Sequence, residues 1–186
     1  MATLAVTEFV SLDGVMEDPG GAEQYEHGGW TFEIDRGEGD AFKLEETLAT
    51  DALLLGRVTY EGFAEAWPSR TDDFADKFNN MPKYVVSSTL ENSDWTNSTV
   101  LRGDVVQSVS KLKDEVDGRI VVHGSARLAQ TLLEHDLVDE LRLMVFPVLL
   151  GDGKRLFDRK GGKRRLQLAE SKTVGDGVVI LVYRRA

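Results

Sequence analysis

Residues 3 to 10 alternate apolar and β-branched positions, and Leu12-Asp13-Gly14 closes them with a turn signal, so the chain predicts a first strand here. Residues 15 to 39 hold six glycines, a proline and many acids, yet also Trp30, Phe32 and Ile34, which predicts a long, partly packed loop of the kind that covers active sites. Residues 41 to 49 space Phe42, Leu44 or Glu45, and Leu48 as a helix does, with Asp40 just before them. A buried strand at 52 to 55 runs into a helix from 58, and Lys83 to Ser88 reads as a further buried strand ending in hydroxyls. A short strand at 99 to 101 precedes a helix at 104 to 116 that sets Val105, Val109, Leu112 and Val116 on one face. Strand 119 to 123, helix 125 to 135 and strand 139 to 147 follow, and the chain closes with a hairpin of 165 to 172 and 178 to 184 around Gly175-Asp176-Gly177. Alternation of β and α until about residue 135, then hairpins, implies a three-layer α/β/α domain with a mostly parallel central sheet and antiparallel C-terminal strands.

In such sheets ligands sit beyond the carboxyl ends of the strands, where Ser11, Gly56, Ser87 and Gly124 all fall. Two of these corners share one design. Asp51 to Tyr60 passes from an apolar run through Gly56 directly into Arg57, Thr59 and a helix, and Arg119 to Leu128 passes through Gly124 and Ser125 into another. Free backbone N–H groups and a helix dipole favour an anion at each point, and two such corners suggest a dinucleotide. Neither is a G-x-G-x-x-G turn, and the chain holds no G-x-x-x-x-G-K-[ST] loop.

Composition narrows the chemistry. With 22 basic and 32 acidic residues the formal charge is -10, which repels a phosphate backbone or an anionic membrane, so no nucleic-acid or membrane partner is expected. The absence of cysteine excludes disulfides, thiolate metal sites and cysteine nucleophiles and fits a reducing cytoplasm. No apolar run approaches the ~20 residues that span a bilayer. His27, His123 and His135 show no metal-binding spacing, and no G-x-S-x-G elbow accompanies Gly124-Ser125, so neither a metal nor a serine hydrolase is expected. Lys160, Lys163, Arg164 and Arg165 form the one basic cluster and read as a solvated loop.

Several segments, taken in order, resemble the dihydrofolate reductase superfamily, and especially the reductase domain of the bifunctional riboflavin-biosynthesis deaminase-reductase and its stand-alone relatives. They are Ser11-Leu-Asp-Gly14, Leu55-Gly-Arg-Val-Thr-Tyr60, Val85-Val-Ser-Ser88, Val122-His-Gly-Ser-Ala-Arg-Leu128, and Leu137-Val-Asp-Glu-Leu141 with Pro147-Val-Leu-Leu-Gly-Asp-Gly153. The resemblance implies one dihydrofolate reductase-like domain over residues 1–186 and NADPH as hydride donor. It places Gly56, Arg57 and Thr59 along the adenosine side, with Arg57, Ser87 and Ser88 at the ribose 2'-phosphate, where guanidinium and hydroxyl donors suit a dianion. Gly124, Ser125, Ala126, Arg127 and Leu128 would wrap the pyrophosphate and nicotinamide ribose. Two departures bear on substrate: His123 stands where the riboflavin reductases usually carry a glutamate, and helix 41 to 49 holds Lys43 but no arginine.

Four positions carry two readings each. Asp40, 16 residues before Gly56 as in the dihydrofolate reductases, is either the catalytic acid in an apolar pocket or a helix cap. Asp13 either meets substrate or only makes the turn with Gly14. His123 meets substrate or nicotinamide, or is a hydrogen-bonded structural histidine. Trp30, Phe32, Phe42 and Trp67 either wall a pocket for a flat heterocycle or are core. The expected activity is NADPH-dependent reduction of a small heterocyclic or ribosylated substrate, first of all 5-amino-6-(5-phosphoribosylamino)uracil, with a pteridine or dihydrofolate as alternative. A homodimer is expected, and a non-catalytic nucleotide-binding dimer joined through Leu141 to Val148 is the reading from a different class.

Overall fold

The computed structural model describes residues 1–157 and 162–186. One mixed sheet of eight strands organises them: β1 (Thr3–Ser11), β2 (Ala52–Gly56), β3 (Lys83–Val86), β4 (Ser98–Leu101), β5 (Arg119–His123), β6 (Glu140–Phe146), β7 (Leu166–Val174) and β8 (Val178–Arg185). The spatial order is β4-β3-β2-β5-β1-β6-β8-β7. Pairing is parallel from β4 to β6 and antiparallel for β6 with β8 and β8 with β7. The expected three-layer fold is therefore present.

Alternation along the strands separates two faces. Leu4, Val6, Leu54, Ile120 and Val122 pack against Val109 and Leu112 of α4 (Val105–Glu115) and Leu128, Ala129 and Leu132 of α5 (Ala126–Glu134). On the other face Leu53, Leu55 and Val85 meet Tyr60 of α2 (Arg57–Ala66) and Phe78 of α3 (Asp73–Asn80), and Thr7 bonds to Glu46 of α1 (Gly39–Leu48). Helix α3 was not expected from the sequence; Asp72 caps it by accepting the Ala75 N–H at 2.8 Å, and Phe74 and Phe78 stack one turn apart. Lys83, fully buried, gives its three N–H donors to the carbonyls of Asn79, Met81 and Thr96, tying α3 to the sheet.

Strand β6 lies inside the sheet, between β1 and β8. Leu141, Leu143, Met144 and Phe146 are buried there, while Arg142, Val145 and Val148 are half-buried and Pro147 is exposed. The loop of residues 15 to 39 is packed around a 3-10 turn at Trp30–Glu33. Trp30 is core, 1% exposed, edge-on to Phe146 and donating Nε1–H to the Glu17 carbonyl, and not a pocket wall. Lys160 of the basic cluster lies outside the described residues, while Arg164 pairs with Asp136 at 2.9 Å on the surface. No helix among the described residues is long and apolar enough to cross a membrane.

Candidate active site

The sheet opens between β1 and β5. Their parallel pairing ends at Thr7 with His123, whereas β1 continues beside β6 as far as Ser11 with Phe146. From this point β1 leads toward α1 on one face and β5 toward α5 on the other, which makes a crevice at the switch in strand order. The carboxyl ends of β1, β2, β3 and β5 bring Ser11, Gly56, Ser87 and Gly124 to this rim, as the sequence implied.

The two glycine corners are stitched together. Ser125 Oγ accepts the Gly56 N–H at 2.9 Å and lies 2.9 Å from Thr59 Oγ1, which accepts the Ser125 N–H at 3.0 Å. Gly124 and Ser125 both adopt left-handed backbone, with φ of 55° and 58°. For serine that conformation carries a cost of about 1 kcal/mol or more, of a kind that persists at functional sites. A Cβ on Gly124 would lie 2.9 Å from Thr59 Oγ1 and 3.1 Å from its Cγ2. Gly124→Ala is thus expected to lower stability by about 1–2 kcal/mol through strain and crowding; a urea midpoint equal to wild type would refute the close fit of the corners.

Beyond this corner, α5 begins with unpaired amides. Its first intrahelical bond runs from Ala129 N to Ser125 O, which leaves the N–H groups of Ala126, Arg127 and Leu128 at the rim. The Arg127 side chain is exposed, but that of Leu128 turns into the core, so only the Leu128 backbone is available to a ligand. Arg57 is exposed and paired with Glu61 at 2.9 Å, a surface contact easily exchanged for another anion. Ser87 Oγ accepts from Thr89 N and Leu90 N, which forms the turn after β3. Ser88 is exposed and its carbonyl accepts from Arg102 Nη1 at 3.1 Å, while Arg102 Nη2 binds the Leu90 carbonyl. Arg102, at the end of β4, is a guanidinium that the sequence reading did not single out.

Beneath the crevice on the α1 face, His123, Thr7 and Arg142 form one cross-strand row. Glu46, 2% exposed, accepts from Thr7 Oγ1 at 2.9 and 3.1 Å, from Lys43 Nζ and from Arg142 Nε, and Arg142 Nη1 also binds Glu140 at 2.6 Å. Burial by itself would raise the Glu46 pKa, but the Lys43 charge and hydrogen bond, with Arg142, hold it down to about 2. Lys43 Nζ gives one proton to Thr7 at 2.7 Å and one to Glu46; among the described residues no acceptor takes its third. His123 packs by its ring against Phe63 and Phe78, and burial, reinforced by the Lys43 charge and opposed by Glu46, pushes its pKa down to about 3. It is a neutral imidazole at neutral pH. Phe42 is half-buried under the Arg142 guanidinium, 4.9 Å from ring to cation, and packs with Trp30 and Phe146.

Two expected acids take other places. Asp40 lies in the first turn of α1 with its side chain 69% exposed and bonded to Arg36, not in an apolar pocket. Asp13 is a clamp between loops: it accepts from Ser11 Oγ at 2.6 Å and from the amides of Leu150 and Gly151, and these bonds hold its pKa at about 2 against the effect of burial. Its carboxylate ties β1 to the loop that follows β6, with its side chain 22% exposed. Among the described residues one concavity of about 230 Å³ lies by Asp136, Asp139 and Tyr183, and one of about 520 Å³ lies by Tyr60, Leu90 and Trp95. The second borders the rim, since its lining includes Glu61, the partner of Arg57, and Leu90, whose N–H is accepted by Ser87 Oγ.

A family model described as the RibD C-terminal domain matches residues 2–180. The chain belongs to that family. It is 31% identical over 138 residues to the uncharacterized protein YyaP of Bacillus subtilis strain 168, a match covering 72% of this chain and 73% of YyaP. Its fold is that of a Shewanella sp. PV-4 protein named for riboflavin biosynthesis, at a TM-score of 0.77 and 22% identity over 99% of both chains. It is also that of Enterococcus faecalis dihydrofolate reductase complexed with NADP(H), at a TM-score of 0.62 and 15% identity over 98% of this chain and 96% of the other. The RibD C-terminal domain assignment and the dihydrofolate reductase-like fold thus agree with the resemblance carried by the sequence motifs.

Proposed function

We propose that the protein is an NADPH-dependent reductase that delivers hydride to a C=N or C=O carbon of a small heterocyclic or ribosylated substrate held in the crevice between β1 and β5. The observation that carries this reading is the joined corner of Gly56, Thr59, Gly124 and Ser125 beside the open N-terminus of α5. Reduced nicotinamide, when bound, supplies the hydride. The chain's own residues bind and orient: α5 amides and Gly124 leave room for a pyrophosphate, and Arg57, Arg102, Ser87 and Ser88 flank the place for a 2'-phosphate. The NADP(H) complex of the fold neighbour supports the same cofactor class.

On the substrate side, Glu46 already accepts from three side chains, whereas Lys43 keeps one proton uncommitted. An ammonium donor suits a carbonyl acceptor better than the amidine edge of a pterin. That favours a ribosylaminopyrimidine, with its ring carbonyls, over dihydrofolate. Lys43 would bind and polarise such a carbonyl, and Phe63 and Trp67 give the crevice an apolar side.

Titration of NADPH and NADH, followed by nicotinamide fluorescence, tests the cofactor. Wild type is expected to prefer NADPH by about 10-fold or more, the worth of one charge-assisted contact, and Arg57→Ala and Arg102→Ala should each erode that preference. Equal affinity of wild type for both cofactors would overturn the 2'-phosphate site; no binding of either would overturn the reductase reading.

A further inference from the structure

Glu8 breaks the apolar face of β1. Leu4, Val6 and Val10 on that face are core, and the fourth position of the alternation is a carboxylic acid, 7% exposed. Its Oε1 has no hydrogen-bond partner, while the carboxyl lies against the backbone amide of Gly124. Glu8 is also the first residue of β1 beyond the last pair with β5, so this orphan oxygen sits where the sheet opens, beside the corner that Gly124 and Ser125 build. A buried polar atom without a partner is costly, and here a ligand in the crevice would satisfy it.

We propose that Glu8 is a cofactor-contact residue, donating the proton of its neutral carboxyl in a hydrogen bond to the sugar-phosphate segment of the dinucleotide that passes over Gly124. The inference rests on the reading of the crevice as an NADPH site. A carboxylate here would repel the pyrophosphate, whereas a carboxylic acid adds a donor next to the α5 amides. The surroundings favour the acid: burial raises the Glu8 pKa well above its ordinary value, and the Glu46 carboxylate adds to this. The Lys43 charge, on the opposite side of the sheet with Thr7, and the Gly124 amide oppose it in part. Glu46 and Asp13, by contrast, are held ionised and offer no proton.

The test is the pH dependence of NADPH binding, followed upward from about pH 5 across the range in which the protein stays folded, in wild type and Glu8→Gln, with NADH as a control for titration of the 2'-phosphate. Wild type should lose affinity for both cofactors, about 10-fold, as rising pH ionises Glu8. Glu8→Gln keeps a donor, so its affinity should match wild type at the acid end and stay level, while Glu8→Ala should bind about 10-fold more weakly there. A wild-type profile as level as that of Glu8→Gln would overturn the role of Glu8 and leave the NADPH site standing; no NADPH binding by wild type at any pH would overturn both. Thermal melting gives a check without ligand. A folded pKa above the unfolded one makes the Glu8 contribution to stability fall as pH rises from about 4.5, so Glu8→Gln should gain on wild type over that range. A constant difference would show Glu8 to be ionised in the fold and end the proposal.

Discussion

Truncation of Glu46 to alanine is expected to lower stability at pH 7 by about 3–5 kcal/mol, the cost of removing one partner from a buried ionic cluster. Lys43, 8% exposed, would keep only Thr7, and Arg142 only Glu140, both in positions that water reaches poorly. The pH dependence identifies the cause. Since the folded pKa of Glu46, about 2, lies below its ordinary 4.5, its contribution is complete above about pH 4.5 and is lost as pH falls toward 2. The gap between wild type and Glu46→Ala, read from urea unfolding, should therefore narrow between pH 5 and about pH 2.5. A loss under about 1 kcal/mol at pH 7 would mean that the cluster is solvated and that the row of His123, Thr7 and Arg142 is not fixed by it.

The sheet was legible because its strands are apolar runs bounded by glycine turns, and helices such as residues 104 to 116 repeat at the helical period. Helix α3 was missed in a polar stretch, although Asp72 followed by Phe74 and Phe78 carries a cap and an i, i+4 aromatic pair. The rim was legible for a related reason: Gly56, Ser87 and Gly124 stand where apolar runs stop. Long-range partners were not. That Ser125 bonds to Thr59, 66 positions away, depends on β5 lying next to β2, which no local pattern specifies.

Charged residues misled in both directions. Asp40 has the spacing of a catalytic acid, yet α1 turns it to solvent and buries Lys43 and Glu46 in its place. Glu8 and Arg142 did carry a signal, an ionisable residue at an inward position of a strand, where burial without a role is costly. Trp30 and Asp13 each carried two readings, and their packing matches the structural one: the first fills the core and the second joins Ser11 to the loop at Leu150.

His123 is expected to give the fold a second acid-sensitive limb, separate from that of Glu46. Its pKa falls from 6.5 to about 3 on folding, so between these values the unfolded chain binds more protons and stability drops as pH is lowered. The full shift would correspond to about 4–5 kcal/mol, and partial solvent contact of the ring reduces this to about 2–3 kcal/mol. Most of the window lies above pH 4.5, where Glu46 and Asp13 are already ionised in both states and contribute no slope. Glu8 acts there with the opposite sign, because its raised pKa makes the folded state bind more protons. Between about pH 4.5 and 6.5 the two groups thus oppose each other, and the wild-type melting temperature should depend on pH less than that of either single variant. His123→Phe, which retains a ring against Phe63 and Phe78, leaves Glu8 unopposed, so its melting temperature should fall as pH rises. Glu8→Gln should show the reverse slope, and the double variant should be level. Parallel profiles for wild type and His123→Phe would show that His123 titrates as freely in the fold as in the unfolded chain, and that the aromatic cluster does not seal this side of the crevice.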